Sequence, residues 1–377
     1  MTPRVLHICQ RDDPATGGAV RVAAEYVKRL PEFGVDAHCL FLYGEPGHFK
    51  SVLGARSHYL GLRDSKDVLK FTRLPHFLRE FGPHVVHHHD GLLWPSVLTY
   101  FHPRFSKFMH AHLGANGRLK PARAALAGLF QRRSNDMLVC ITEDTRRSQV
   151  EHGKYSLGRT CVIRNGIDLE HFRPPCVAER RAARGRFGVG EGEQAVGFVG
   201  RLDCGTKGAD DFLKMFALLP PGCRALVVGD GPDAGKLRGL AASLGVEPRV
   251  SFAGVMQDTR EAYHAMDVLC LTSHVEPFGL VVAEAMACRV PVVGFACPGG
   301  VGELLTPSTG SVVVERKAEV MAEAVLRILA GPHRVTDLTD NAVALIKESH
   351  DWRRSAGELT RVYVEQLTRG RAVTSSW

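Results

Sequence analysis

The stretch SHVEPFGLVVAEAMA, Ser273 to Ala287, places two glutamates in an otherwise almost wholly apolar run. A buried carboxylate is costly unless it is paired or hydrogen-bonded. Glu276 and Glu284 therefore either face water or serve something that binds beside them. Just upstream, DVLCLTS (Asp267–Ser273) reads as a strand, and from Gly279 onward the composition favours a helix. Pro277 suits a position just ahead of the first turn. The helix start then offers free backbone N–H groups at Phe278, Gly279 and Leu280, which attract phosphate through unpaired donors and the helix dipole. Glu276 falls in the loop and Glu284 in the second helical turn. A carboxylate accepting two hydroxyl hydrogen bonds suits a ribose or hexose diol. Pairing of Glu284 with a core arginine, or capping of a neighbouring strand by it, stays open as the structural alternative.

The same strand, loop and helix rhythm extends to both sides. AVGFVGRL (Ala195–Leu202), RALVVGDG (Arg224–Gly231), RVSFAG (Arg249–Gly254) and VPVVGF (Val290–Phe295) are strand-like and alternate with helical stretches. Further upstream, RVLHIC (Arg4–Cys9), VDAHCLFL (Val35–Leu42), HVVHHH (His84–His89), KFMHAH (Lys107–His112) and MLVCIT (Met137–Thr142) repeat the pattern. The tail from Ala318 to Leu367 is mostly helical in spacing. Such alternation implies parallel sheets covered by helices. A chain of 377 residues exceeds what one compact core usually supports. The expected architecture is α/β, with two doubly wound Rossmann-like domains facing each other across a cleft. The Pro174-Pro175 pair reads as the connection, giving domains over 1–173 and 174–352 and a terminal helix over 353–377. Ligands of such sheets sit beyond the carboxyl ends of the strands.

Two loops at those ends carry suitable chemistry. Gly200-Arg201 closes one strand, and Lys207-Gly208 follows before a helix. Glycine lets the backbone approach a ligand, and the two cations supply charge for phosphate. Gly17-Gly18, after the opening strand, is a second close-approach site at a helix start. No G-x-x-x-x-G-K-[ST] occurs, and no G-x-G-x-x-G follows the first strand, which speaks against a P-loop and against a nicotinamide or flavin dehydrogenase.

Composition narrows the function classes. A hydrophobic fraction of 45% with 23% charged residues is ordinary for a globular chain. No segment approaches the roughly 18 apolar residues of a membrane span. MTPRVLHICQRDD does not read as a signal peptide, and ten cysteines without a C-x-x-C pair read as reduced core residues. The expected location is cytoplasmic, with peripheral attachment to the inner face of the cytoplasmic membrane as an open alternative. Residues 1–175 hold 25 Lys and Arg against 16 Asp and Glu, and 14 of the 18 histidines. A basic first half is expected to meet something anionic. GRLKPARAALAGLFQRR (Gly117–Arg133) suits either rest on an anionic membrane or packing on its own sheet. Nucleic acid is not expected as a partner, because the charge lacks aromatic interleaving or a helix motif.

In order and spacing, TGGAVRVAAEYVKRL, CVIRNGIDLEHFRP, VGFVGRLDCGTKG, VVGDGP, RVSFAGV and SHVEPFGLVVAEAMA resemble the retaining glycosyltransferases of family four, which have the GT-B fold. The match runs from Arg4 to about Tyr363. Its most specific piece is the E-x7-E signature with P-F-G inside it, at Glu276 and Glu284. HDWRRSAGELTRVY is similar to the family's terminal helix, which crosses back onto the first domain.

The resemblance implies a nucleotide-diphosphate sugar donor, a UDP- or GDP-sugar, on the second domain and a saccharide or glycolipid acceptor on the first. It implies that Arg201 and Lys207 neutralise the diphosphate, that Phe278 and Gly279 donate backbone N–H bonds, and that Gly18 closes over the phosphates. Glu276 would contact sugar hydroxyls and Glu284 the ribose. No cofactor and no divalent metal are implied, since two cations do the electrostatic work. The family places a histidine near the donor sugar. His110 and His112 both offer themselves on one strand face, His112 preferred because it ends the strand. HVVHHHDG invites a metal reading through His87, His89 and Asp90. The family has a similar strand ending without metal, so exposed acceptor-cleft histidines are the expected explanation of HVVHHHDG; His89 and His110 are expected on the acceptor side. Transfer with retention, in cell-surface polysaccharide or lipopolysaccharide assembly, is the leading expectation. A sugar-nucleotide epimerase or a phosphorylase on the same scaffold is the alternative.

Overall fold

The structure, a computed structural model, describes residues 2–13, 17–63, 67, 72–89, 105–113, 135–153 and 155–374. The chain divides into two compact units, Met1–Gly166 with Trp352–Trp377, and Ile167–Asp351. Pro174-Pro175 therefore lies inside the second unit. The amphipathic stretch 117–133 and Asp90 lie outside the described residues.

The first unit holds seven strands: β1 (Arg4–Arg11), β2 (Asp36–Tyr43), β3 (Ser57–Leu62), β4 (Val85–His89), β5 (Ser106–Ala111), β6 (Met137–Cys140) and β7 (Thr160–Val162). They form one parallel sheet in the order β3-β2-β1-β4-β5-β6-β7. The period of two sends alternate residues to opposite faces. Val5, Cys9, Val85 and Phe108 pack on one face against Tyr26 and Val27 of the helix Gly18–Arg29. Leu6, Ile8, Leu40 and Val86 pack on the other against Leu74 and Leu78 of the helix Arg73–Phe81. Near-continuous apolar strands such as RVLHIC are what a sheet covered on both faces requires.

Trp352, Ala356, Leu359 and Tyr363 recur at helical spacing and join the first of these cores. That stripe makes the terminal helix, Trp352–Thr374, part of the first unit. Gly166 must be glycine here, because a Cβ would lie 2.5 Å from the Trp352 Cα.

The second unit holds β8 (Gln194–Val199), β9 (Cys223–Val228), β10 (Val250–Gly254), β11 (Val268–Leu271), β12 (Val292–Phe295) and β13 (Ser311–Val313). These too are all parallel, in the order β10-β9-β8-β11-β12-β13. Helix residues Phe212, Phe216, Leu237, Met321 and Val325 bury against Val196, Phe198, Val227, Val268 and Val293. Both units are thus doubly wound, as the alternation of strands and helices implies. Strand order reverses between β1 and β4 in one sheet and between β8 and β11 in the other. Those switch points are where sheets of this kind open a crevice for a ligand. No helix of the described residues is long and apolar enough to cross a membrane. None of the ten cysteines forms a disulfide.

Candidate active site

β8, β11 and β12 are neighbours in the second sheet, so the loops after them emerge side by side at its carboxyl edge. Glu276, in the loop after β11, is 7% exposed. Its Oε2 accepts from Lys207 Nζ at 2.7 Å and from Ser273 Oγ at 3.0 Å. The Glu276 N–H donates to the Pro298 carbonyl at 3.0 Å, and Val301 N–H donates back to the Glu276 carbonyl at 3.3 Å. The acid that looked out of place in the sequence is therefore paired, and it ties three loops together. Gly208, with φ +61°, lets this happen, because a Cβ there would sit 2.2 Å from the Thr272 carbonyl oxygen. Gly200 uses its own N–H to hold Val228 at 3.0 Å, which leaves the exposed Arg201 at the lip of β8.

The helix Leu280–Ala287 begins immediately after, capped by Gly279 at φ +87°. Its first inward bond runs from Val282 N–H to the Gly279 carbonyl, 2.9 Å. The N–H groups of Phe278, Gly279, Leu280 and Val281 have no acceptor among the described residues. The Phe278 ring is buried and packs on His350 with centroids 5.3 Å apart, so the side chain anchors the turn and the amides stay free. Four unpartnered donors at a helix start, beside the Lys207–Glu276 pair, make an anion-binding arrangement.

Glu284 lies one turn further on and is 8% exposed. It accepts from the Tyr263 hydroxyl at 2.7 Å and from Thr259 Oγ1 at 3.4 Å. Burial first, and then the Glu284 carboxylate, hold the Tyr263 hydroxyl well above its ordinary pKa, so it remains a donor.

Several contributors escaped the sequence reading. Arg316, just past β13, donates to Asp211 Oδ2 and the Thr272 carbonyl at 3.0 Å each, and to the Ser273 carbonyl at 2.5 Å. It also lies over the Phe295 ring at 4.6 Å. It thereby pins the end of β11 from which Glu276 projects. Ser273 and Tyr263 hold the two glutamates in the same manner. In the first unit, Asp12 at the end of β1 accepts from the N–H groups of Gly47 (2.8 Å), Phe49 (2.5 Å) and Lys50 (3.1 Å) and from the Tyr59 hydroxyl (2.5 Å). Only the loop position of Asp12 hinted at this role.

The first unit gathers histidines at its own switch point. Gly17, at φ +129°, ends the loop after β1, and Gly18 opens the helix that follows. His7 on β1 lies opposite His87 on β4, and His89 opposite His110 on β5. The expectation that the HVVHHHDG histidines are exposed fails for His87 and His89. His89 is 1% exposed and His110 is fully buried, because strand alternation turns both toward the face packed by Tyr26 and Tyr363. His112, just past β5, is part-buried. Of the two alternatives on that strand, it is the one with exposed surface.

Burial holds His7 down to about 3, and burial followed by neighbouring imidazoles holds His87, His89 and His110 well below the ordinary value. These rings are therefore neutral near pH 7. Nitrogens of His7, His87 and His89, and of His89, His110 and His112, lie within 4.8 Å of one another, a spacing that invites a metal. Within these groups His87 lies by His89 at 4.9 Å and 25°, and His89 by His110 at 5.0 Å and 19°. Both ring nitrogens of His89 are already engaged, Nε2 with His7 Nδ1 at 2.9 Å and Nδ1 with His112 Nε2 at 3.1 Å, so a metal would have to displace these hydrogen bonds.

Two sequence-family models match the chain, "Glycosyl transferases group 1" over residues 179–344 and "Glycosyltransferase Family 4" over residues 16–171. The D-inositol 3-phosphate glycosyltransferase of Mycobacteroides abscessus is 34% identical over 203 residues, covering 52% of this chain and 44% of that protein. Its counterpart in Mycobacterium tuberculosis is 33% identical over 262 residues, 64% of this chain and 52% of that one. The chain spans about half the length of these curated relatives. Among solved structures, HepE of Anabaena in complex with UDP-glucose superposes with a TM-score of 0.83 at 21% identity, covering 97% of this chain and 99% of that one. WaaG, a glycosyltransferase involved in lipopolysaccharide biosynthesis, gives 0.75 at 19% identity, with 94% and 98% covered. These likenesses place both units in the GT-B fold. The chain belongs to the group 1, family 4 glycosyltransferases.

Proposed function

We propose that the chain is a retaining glycosyltransferase that moves a hexose-type sugar from a UDP- or GDP-sugar to a saccharide or glycolipid acceptor. The observation that carries this is the cluster at the β8–β11 switch point: Lys207 bonded to Glu276 beside the unpartnered N–H groups of residues 278–281. A diphosphate would take those amides together with Lys207 and Arg201, and Glu276 would turn from lysine toward the sugar hydroxyls. Glu284 would hold the ribose, and Gly17 and Gly18 would allow close approach to the phosphates. His112 would meet a hydroxyl of the transferred sugar.

In the proposed step the acceptor hydroxyl oxygen bonds to the anomeric carbon from the face the diphosphate leaves. The bond from that carbon to the phosphate oxygen breaks with its electron pair going to the diphosphate, whose oxygen takes the acceptor's proton. The chain's part is positioning and charge stabilisation. Two cations serve the leaving group, so no divalent metal is required. Action at the inner face of the cytoplasmic membrane, in assembly of surface polysaccharide or lipopolysaccharide, fits the basic first half.

The test is a screen of UDP- and GDP-sugars by thermal shift, UDP-glucose first because HepE was crystallised with it. A saturating donor at 100 times its Kd stabilises the folded chain by about 2.7 kcal/mol. Transfer to glycan or glycolipid acceptors is then followed by product analysis. Activity should survive chelator, and the product should keep the donor's anomeric configuration. Conversion of the donor without acceptor, or loss of activity that Mg²⁺ restores, would contradict the reading.

A further inference from the structure

Three of the first unit's histidines form a continuous hydrogen-bonded file. His112 Nε2 lies 3.1 Å from His89 Nδ1, and His89 Nε2 lies 2.9 Å from His7 Nδ1. A neutral imidazole carries one N–H and one lone pair, so each contact needs one of each. The three tautomers are consequently locked together. Either every proton points outward, His7 donating to His89 and His89 to His112, or every proton points inward.

The inner end decides between these registers. His7 Nε2 is buried and has no hydrogen-bond partner among the described residues. In the inward register that atom would carry an orphaned N–H; in the outward register it holds only a bare lone pair. Orphaned buried N–H groups are the rarer of the two defects in folded proteins. Burial of His7 and His89 keeps both rings neutral, so neither of them escapes the choice by taking up a proton.

We propose that His7 and His89 act as positioning residues that fix the tautomer of His112, placing its proton on Nδ1 and leaving Nε2 as the acceptor of the His89 N–H. The consequence for function rests on the reading above, in which His112 meets a sugar hydroxyl. His112 then offers that hydroxyl a hydrogen-bond donor in a fixed ring orientation, and the hydroxyl oxygen accepts.

The experiment is ¹⁵N NMR of the full chain carrying imidazole-labelled histidine at pH 7.5, with His112 identified by its loss in His112→Ala. His112 should show a protonated Nδ1 and an unprotonated Nε2. His89→Asn keeps an N–H donor near the place of His89 Nδ1 and should preserve that pattern; His89→Leu removes the donor and should abolish the preference. In the transfer assay His89→Leu should lower kcat roughly tenfold, the scale of one positioned hydrogen bond, with donor KM unchanged, and His89→Asn should restore most of it. A protonated Nε2 on His112 in the unsubstituted chain overturns the proposal, as does a His112 pattern that His89→Leu leaves intact. The nitrogen shifts are read without substrate, so they test the file whether or not the chain transfers sugar. The spectrum of the unsubstituted chain decides the matter should a variant fail to fold.

Discussion

Glu276→Ala is expected to lower the rate of sugar transfer by about 10²–10³-fold, the cost of removing one preorganised polar group from a reacting centre. The carboxylate has two tasks that alanine cannot perform. It holds Lys207 Nζ at 2.7 Å before the donor arrives, and it is the acceptor proposed for the donor's hydroxyls. The fold should survive, because the Lys207 side chain is 28% exposed and can turn to water once its partner is gone. Unfolding free energy should therefore change by no more than about 2 kcal/mol. Steady-state kinetics beside urea unfolding separate the two effects. Near-normal kcat in a folded Glu276→Ala chain would remove this residue from the mechanism.

Acid should destabilise the first unit steeply, well above the range where carboxylates titrate. His7 is held down to about 3 and His88 to about 4, and His87, His89 and His110 lie well below the ordinary value, in each case chiefly through burial. The sign follows from linkage. Between those depressed values and about 6.5 the unfolded chain binds protons that the folded chain refuses, so stability falls as pH drops through that window. Each ring adds a slope approaching about 1.4 kcal/mol per pH unit. Five together amount to a loss on the order of 5 kcal/mol between pH 7.5 and 5.5. Urea unfolding at the two pH values measures it. Both nitrogens of His110 are buried without partners among the described residues, so His110→Leu should reduce the slope by about one proton. A flat stability profile from pH 7.5 to 5.5 would show that these histidines are not buried as described.

The sheets were legible where strands are covered on both faces. RVLHIC and AVGFVGRL are mostly apolar because their strands lie inside their sheets, each between two neighbouring strands. β3, β7 and β13 were not anticipated, and all three are edge strands. SHYLGL carries His58 and Gly61, while TCV and SVV are three residues long. An edge strand satisfies one ladder only and tolerates polar residues, so its pattern fades. The unit boundary was also displaced from Pro174-Pro175, because what closes the first unit is the fit of Gly166 against Trp352, nearly two hundred residues apart in the chain.

At the site, glutamate, lysine and glycine positions could be named because their types are unusual in their surroundings. Their supports could not. Ser273, Tyr263 and Arg316 are ordinary residues whose roles come from neighbours distant in sequence, as with Arg316 reaching back 43 residues to the Ser273 carbonyl. The histidines illustrate the opposite error. Polarity suggested an exposed row, whereas strand alternation turns His87, His89 and His110 inward to stack on one another. Their partners lie on adjacent strands, and period alone does not reveal which face is closed.

The central claim is that a pyrophosphate is held where β8 and β11 diverge, and titration calorimetry of UDP and GDP tests it most directly. The unsubstituted chain should bind one of them at a single site. Lys207→Ala and Arg201→Ala should each weaken that binding by roughly 10- to 100-fold, the value of a charge-assisted contact to phosphate. Equal affinity in all three proteins would contradict the account.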